Sequence, residues 1–143
     1  MHTVAHGSYT YTDDPSRIDF ERVHLWLSRS YWCPGISKER LQRALDHSSL
    51  IVGAYSPDYG QCGVARVVTD FTRFAYLMDV IVTPEHRGIG VGKAMVRFLL
   101  DHPKMGDIDT WTLATRDAHR LYESLGFERE PDPERWMVRR VEK

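Results

Sequence analysis

The stretch Arg87-Gly88-Ile89-Gly90-Val91-Gly92 constrains the chain more than any other, because of what flanks it. Before it runs Tyr76–Val82, an almost unbroken apolar and β-branched segment of the kind that forms a buried central strand. After it, Val91, Met95, Phe98 and Leu99, with Ala94 between them, recur at the spacing of one helix face, out to about His102. A strand, a glycine-rich turn and a helix in this order make a phosphate cradle. Glycines let the backbone bend and approach closely, and a helix start offers unpaired N–H groups carrying about half a positive charge. The predicted ligand is a diphosphate.

Spacing narrows the choice. A P-loop requires G-x-x-x-x-G-K-[ST], but Arg87 stands at its first glycine and Ala94 follows Lys93, so no hydroxyl is placed for magnesium. The dinucleotide fingerprint G-x-G-x-x-G fails as well, because Gly88, Gly90 and Gly92 alternate strictly. Both failures disfavour an unrelated nucleotide-binding domain. The fit is to [QR]-x-x-G-x-[GA], with Arg87, Gly90 and Gly92 at the fixed places.

Composition limits the alternatives. A chain of 143 residues, 42% hydrophobic and 27% charged, suits a single domain over 1–143 with a substantial core. A formal net charge of −1 argues against a broad basic surface for nucleic acid. No apolar run reaches the roughly 20 residues of a membrane span, and Met1–Ser8 lacks the basic and apolar regions of a secretory leader. Cys33 and Cys62 form neither a metal-type pair nor a disulfide framework, which points to a reducing, cytoplasmic location. The seven histidines are dispersed with no ligand pattern, so no metal is expected and each reads as a surface or satisfied core residue.

Along the chain, Ser8–Thr12 reads as a first strand and Asp19–Ser30 as a helix carrying Phe20, Val23 and Leu27 on one face. Pro34-Gly35 breaks the chain, and Ser37 caps a second helix to about Asp46. Leu50–Tyr55, Gly63–Thr69 and Phe74–Val82 are three successive strands, with turns at Pro57–Gly60 and Asp70–Arg73. After the loop and its helix come a strand at Thr110–Thr115 and a short helix capped by Asp117 and ended near Leu125 by Gly126. Phe127–Arg129 and Arg135–Val141 complete the pattern as strands separated by Pro131 and Pro133. The expected class is α/β, with an α+β mixed sheet and the order β-α-α-β-β-β-α-β-α-β-β.

The Arg87–Gly92 pattern resembles the coenzyme A loop of the GNAT N-acetyltransferase superfamily, and Thr83-Pro84-Glu85-His86 leads into it as in many members. The element order matches the GNAT arrangement over nearly the whole chain. A second motif agrees: Ala118–Phe127 resembles the A-x-x-L-Y-x-x-x-G-F segment after the fifth strand of that superfamily. Ser30-Tyr31-Trp32 with Gly35-Ile36 is similar to a group of small bacterial GNAT proteins without an assigned substrate. The chain departs from the family at Thr115, where many relatives carry asparagine, and at Met78, where relatives often place their base.

The resemblance implies direct transfer of an acetyl group from acetyl-CoA to an amine acceptor, with coenzyme A leaving. It places the pyrophosphate on the backbone of Arg87, Gly88, Ile89, Gly90, Val91, Gly92 and Lys93, and the pantetheine arm along the Val80, Ile81 and Val82 edge. The side chain of Lys93 either meets a phosphate or stands solvated on the first helical turn. Tyr122 is the candidate for the sulfur end, as donor or hydrogen-bonding group, although Ala118, Leu121, Tyr122 and Leu125 also form one apolar stripe. Asp79, the single carboxylate within Tyr76–Val82, is the candidate base for the amine, or else a structural partner of Arg66 or Arg73. Strand alternation separates Asp79 from the face of Met78 unless a bulge intervenes. Tyr31 and Trp32 either line the acceptor pocket or pack in the core, with Glu39 or Asp70 able to attract a cation. The departures at Met78 and Thr115 keep open a second reading, an acyl-CoA-binding sensor or partner module without turnover.

Overall fold

A computed structural model describes residues 1–142. Six strands form one sheet in chain order: β1 (Thr3–His6), β2 (Tyr9–Thr12), β3 (Leu50–Ser56), β4 (Gly60–Thr69), β5 (Phe74–Val82) and β6 (Thr110–Thr112). All neighbours are antiparallel except β5 and β6, which are parallel. Helices α1 (Phe20–Ser28) and α2 (Lys38–Asp46) lie between β2 and β3. Helix α3 (Val91–Leu100) connects β5 to β6, and α4 (His119–Glu123) follows β6. The mixed α/β class read from the sequence is what forms.

Each face of the sheet buries its own apolar layer. Val52, Ala65, Val67, Ala75 and Leu77 pack under Val91, Met95 and Leu99 of α3. On the other face, Val64 meets Val23 and Leu27 of α1 and Leu41 and Leu45 of α2. The alternation of Val64, Ala65 and Val67 between faces is the period of two that a strand covered on both sides must show. The helix starts are satisfied locally: Asp19 accepts from the Arg22 amide and Ser37 from that of Arg40, each at 3.2 Å.

Three parts of the sequence reading need correction. The chain begins with an additional strand, β1, joined to β2 by a tight turn at Gly7-Ser8, with Gly7 at φ +61°. β1 is an exposed edge strand with no apolar alternation, so periodicity could not find it. The expected strands at Phe127–Arg129 and Arg135–Val141 do not form. Residues 128–142 are exposed, Pro131 and Pro133 remove ladder donors, and the Trp136 indole is satisfied by Glu130 at 2.8 Å. Asp117 does not cap α4, which has no side-chain cap; the Thr115 hydroxyl accepts from the Ala118 amide at 3.0 Å in the turn before the helix.

The N-terminal hairpin is tied down by a buried polar group. Asp13 accepts from His102 Nε2 at 2.7 Å and from the His2 amide at 2.8 Å. His102 Nδ1 accepts from the Lys104 amide at 3.1 Å, so the ring's proton sits on Nε2. His102 is thus a satisfied core histidine. It joins the end of α3 to the link between β2 and α1.

Candidate functional site

The site begins where β5 loses a neighbour. Its ladder with β6 covers only Phe74, Ala75 and Tyr76, whereas its ladder with β4 runs on to Val82 opposite Gly63. Leu113–Thr115 leave the sheet instead of extending β6, so from Leu77 to Val82 β5 has no strand neighbour on that side, and at its end the Val82 carbonyl takes the Arg87 side chain. Residues Met78–Val82 are accordingly half-buried, not buried as a continuous central strand would be. Backbone donors and acceptors along such an edge need partners. An extended amide-bearing arm is the complementary ligand.

The edge leads into the glycine loop. Thr83–Arg87 turn through backbone bonds from His86 to Thr83 and from Arg87 to Pro84, and the Arg87 side chain donates from Nε to the Val82 carbonyl at 2.7 Å. Gly88 and Gly90 both take left-handed backbone, at φ +78° and +94°. A Cβ on either would meet nothing within 4 Å, so the space above the loop is open. The first helical bond of α3 runs from the Ala94 amide to the Gly90 carbonyl at 2.9 Å, which leaves the preceding amides of the first turn without helical partners. Open space over left-handed glycines and unpaired amides fits a diphosphate. Lys93 is exposed on that first turn.

Asp79 interrupts β5. It adopts φ +55°, and the register with β4 slips by one residue between Val64 opposite Ile81 and Arg66 opposite Met78. The bulge that alternation required is present, and Asp79, itself without a ladder partner, therefore shares the α1/α2 side with Arg66, the partner of Met78. Both carboxylate oxygens are engaged: Oδ2 accepts from Arg66 Nε at 2.6 Å and Oδ1 from the Trp32 indole at 2.7 Å. The two charged side chains are each 10% exposed. Of the two arginines named from the sequence, Arg66 is the one that pairs with Asp79.

Tyr31 and Trp32 lie in the α1–α2 connection and are 49% and 43% exposed, so neither packs in the core. They meet edge to face at 5.0 Å between centroids. The Tyr31 hydroxyl accepts from the Arg116 amide at 3.2 Å, and the Arg116 guanidinium lies 3.8 Å over its ring. The pair thus reaches from the β5 bulge to the β6–α4 loop. The other two acidic candidates lie elsewhere. Asp70 builds the β4–β5 turn, accepting from the amides of Thr72, Arg73 and Phe74, and Glu39 sits on a surface groove of α2 beside Phe20 and Gln42.

Tyr122 is 8% exposed and stands on α4 against Phe127, with ring centroids 5.9 Å apart. Gly126, at φ +95°, ends the helix as its position suggested, and the Phe127 amide returns to the Tyr122 carbonyl at 3.0 Å. This explains the spacing of the Leu-Tyr-x-x-x-Gly-Phe segment. Burial pushes the Tyr122 phenol above its ordinary value, and the nearby Tyr31 phenol adds to the shift. At neutral pH Tyr122 is therefore an O–H donor. Among the described residues, no group of three or more His, Cys, Asp or Glu side chains is placed to hold a metal ion, and no helix is long and apolar enough to cross a membrane.

This arrangement has clear relatives. A structure described as an acetyltransferase belonging to the GNAT family, from Xanthomonas campestris pv. campestris, superposes with a TM-score of 0.88 at 38% identity over 96% of each chain. An uncharacterized N-acetyltransferase of Porphyra purpurea is 32% identical over 98 residues, 66% of this chain and 56% of the relative. Serotonin N-acetyltransferase 2, chloroplastic, of Oryza sativa subsp. japonica is 33% identical over 109 residues, 73% of this chain and 54% of the relative. The chain thus spans little more than half the length of these two curated relatives. The profile of the acetyltransferase (GNAT) domain matches residues 46–129, from the end of α2 to just beyond Phe127. The chain belongs to the GNAT acetyltransferase family.

Proposed function

We propose that the protein is an acetyl-CoA-dependent N-acetyltransferase acting on a primary amine of a small molecule or protein. One observation carries the reading: the β5 edge without a strand neighbour runs directly into the open, left-handed glycine loop with its unpaired amides. Val80–Val82 would hold the pantetheine arm through their backbone, and residues 87–93 the pyrophosphate. Acetyl-CoA supplies an activated acetyl group and a thiol leaving group when bound.

The chain's own groups divide the remaining work unequally. An ordinary lysine-like amine, with a pKa of about 10.4, is neutral in roughly one part in a thousand near pH 7, a cost of about 4 kcal/mol. Because both oxygens of Asp79 are engaged, we assign the amine's proton to solvent at the half-exposed mouth beside Tyr31 and Trp32. At the sulfur end Tyr122 donates a hydrogen bond to the developing thiolate. Its raised pKa disfavours complete transfer of the phenolic proton, because the departing thiolate is the weaker base. The Thr115 hydroxyl accepts from the Ala118 amide and keeps its own O–H free to donate. The free thiols Cys33 and Cys62, both pushed up by burial, are consistent with a reducing cytoplasm.

The test is release of free thiol from acetyl-CoA across a panel of amines, with the acetylated product identified by mass. The panel should include serotonin, the substrate named for the rice relative, together with an aliphatic amine, a polyamine and lysine peptides. Amine-dependent thiol release supports the proposal. Binding of acetyl-CoA without release from any amine would favour the sensor reading instead.

A further inference from the structure

The polar chain around Asp79 crosses three elements. Ser48, just beyond α2, donates to the Ala44 carbonyl at 2.8 Å and accepts from Arg66 Nη1 at 3.2 Å. Arg66 on β4 holds Asp79 in the β5 bulge, and Asp79 holds the Trp32 indole in the α1–α2 connection. The next residue, Cys33, fixes the connection from behind. Its amide donates to Ser30 Oγ at 3.3 Å and its thiol to the Leu27 carbonyl at 3.4 Å. Tyr31 anchors the same connection to Arg116 beyond β6. A short segment is therefore pinned on both sides of the gap between β5 and β6.

A left-handed aspartate inside a strand costs on the order of 1–2 kcal/mol, and such conformations persist where the surroundings over-determine them. Here the surroundings are Arg66 and Trp32. The pair neutralises itself, so it offers no free carboxylate to an approaching ammonium group. Beside it the Arg116 guanidinium lies over the Tyr31 ring, 3.9 Å from the Asp117 carboxylate. What the segment presents to a ligand is the half-exposed aromatic surface of Tyr31 and Trp32.

We infer that Asp79 is a positioning residue, which works by fixing Trp32, and that Trp32 selects the acceptor, an amine carried on an apolar or aromatic body and not a polyamine. This rests on the transferase reading above and deepens it. An aromatic face rewards burial of apolar area and does not require a counter-ion. A polycation finds no free carboxylate in the self-neutralised Asp79–Arg66 pair.

Steady-state kinetics of the wild type, Trp32→Phe and Asp79→Asn test the inference, with arylalkylamine, polyamine and acetyl-CoA each varied. The wild type should prefer the arylalkylamine. Trp32→Phe, which keeps a ring but loses its tether, should raise the arylalkylamine KM by about tenfold and leave the acetyl-CoA KM unchanged. Asp79→Asn retains an oxygen for the indole, tolerates the left-handed backbone and loses the ion pair. It should raise the acceptor KM by roughly three- to tenfold, hold kcat within about twofold and leave the pH profile of kcat/KM in place. Loss of kcat by about a hundredfold in Asp79→Asn, with disappearance of a limb of that profile, would make Asp79 the base and overturn the assignment. An unchanged acceptor KM in Trp32→Phe, or a polyamine as the best acceptor, overturns it too, and neither requires Asp79→Asn to fold. Absence of wild-type turnover with every amine would remove the transferase reading itself, whereas turnover without the KM shifts removes only this inference.

Discussion

Replacing Gly90 by alanine separates the two jobs of the glycine loop. At φ +94° an L-residue costs about 1–2 kcal/mol of backbone strain, and the added Cβ meets no protein atom within 4 Å, so strain is the whole stability penalty. For a chain of this size about 1 kcal/mol corresponds to roughly 3 °C, so Tm should fall by about 3–6 °C. The effect on coenzyme A binding has a different origin. The methyl group enters the open space above the loop, and relief of strain re-aims the amides of the first turn of α3. Losing one hydrogen bond to a charged phosphate costs about 1.5–3 kcal/mol, at least a tenfold loss of affinity. Thermal shift with coenzyme A reads both quantities. At a concentration about 100 times its Kd the ligand stabilises the wild type by about 2.7 kcal/mol, and a tenfold weaker complex at that concentration keeps only about 1.4 kcal/mol. A Gly90→Ala protein with the lower Tm but the full ligand-induced increment would refute the phosphate reading. The loop would then be a tight turn and nothing more.

Three further outcomes are expected. Tyr122→Phe keeps the ring against Phe127 and loses the phenol, so kcat should fall by about a hundredfold with the acetyl-CoA KM unchanged; an activity loss on the alkaline side that sets in well below pH 10 and vanishes in this variant would contradict the raised Tyr122 phenol. Asp13→Asn should cost about 2 kcal/mol at neutral pH in urea unfolding, since Asp13 accepts charged hydrogen bonds from the His2 amide and from His102. Burial alone would raise the Asp13 carboxyl, but these bonds outweigh it and hold the group below the ordinary aspartate value. A depressed folded-state pKa stabilises above the unfolded value of about 3.9 and is lost as pH falls through the folded one, so the variant's deficit should shrink below pH 4. A deficit of constant size down to pH 2 would exclude that linkage. Leu99→Ala removes a fully buried side chain between α3 and the sheet and should cost about 3–5 kcal/mol by the same measurement, with coenzyme A affinity per folded molecule preserved.

How much the sequence disclosed depended on whether a feature was local and periodic. The β5–loop–α3 unit was legible because its signals agree: β-branched residues, alternating glycines, then Val91, Met95 and Leu99 on one face. Tyr122 was legible because a helix stop at Gly126 and the return of Phe127 impose a fixed spacing. The hairpin strand β1 was not, since an exposed edge strand has no apolar alternation and only Gly7-Ser8 marked it. The final strands misled for the opposite reason: Trp136, Val138 and Val141 suit a strand by propensity, but β-propensity is realised only against a surface, and these side chains have none. The bulge at Asp79 was out of reach. Its identity permitted a left-handed backbone, but the contacts that enforce one come from Arg66 and Trp32, distant in sequence.

That bulge fixes the parity of the strand. Leu77 and Val80 are three residues apart, an odd interval that ordinarily sends side chains to opposite faces, yet both pack toward α3, while Ile81 turns to α1 and α2. One uncounted residue thus decides which side chains of the strand's second half face each helical layer, and which of its amides look into the gap. No substitution at Val80, Ile81 or Val82 can reproduce or undo that inversion, because each changes a side chain and leaves the count intact. Deleting residue 79 would reverse it at a stroke, burying what should be presented and presenting what should be buried. The binding edge should therefore accept many changes of letter along its length, but no change in its number of residues.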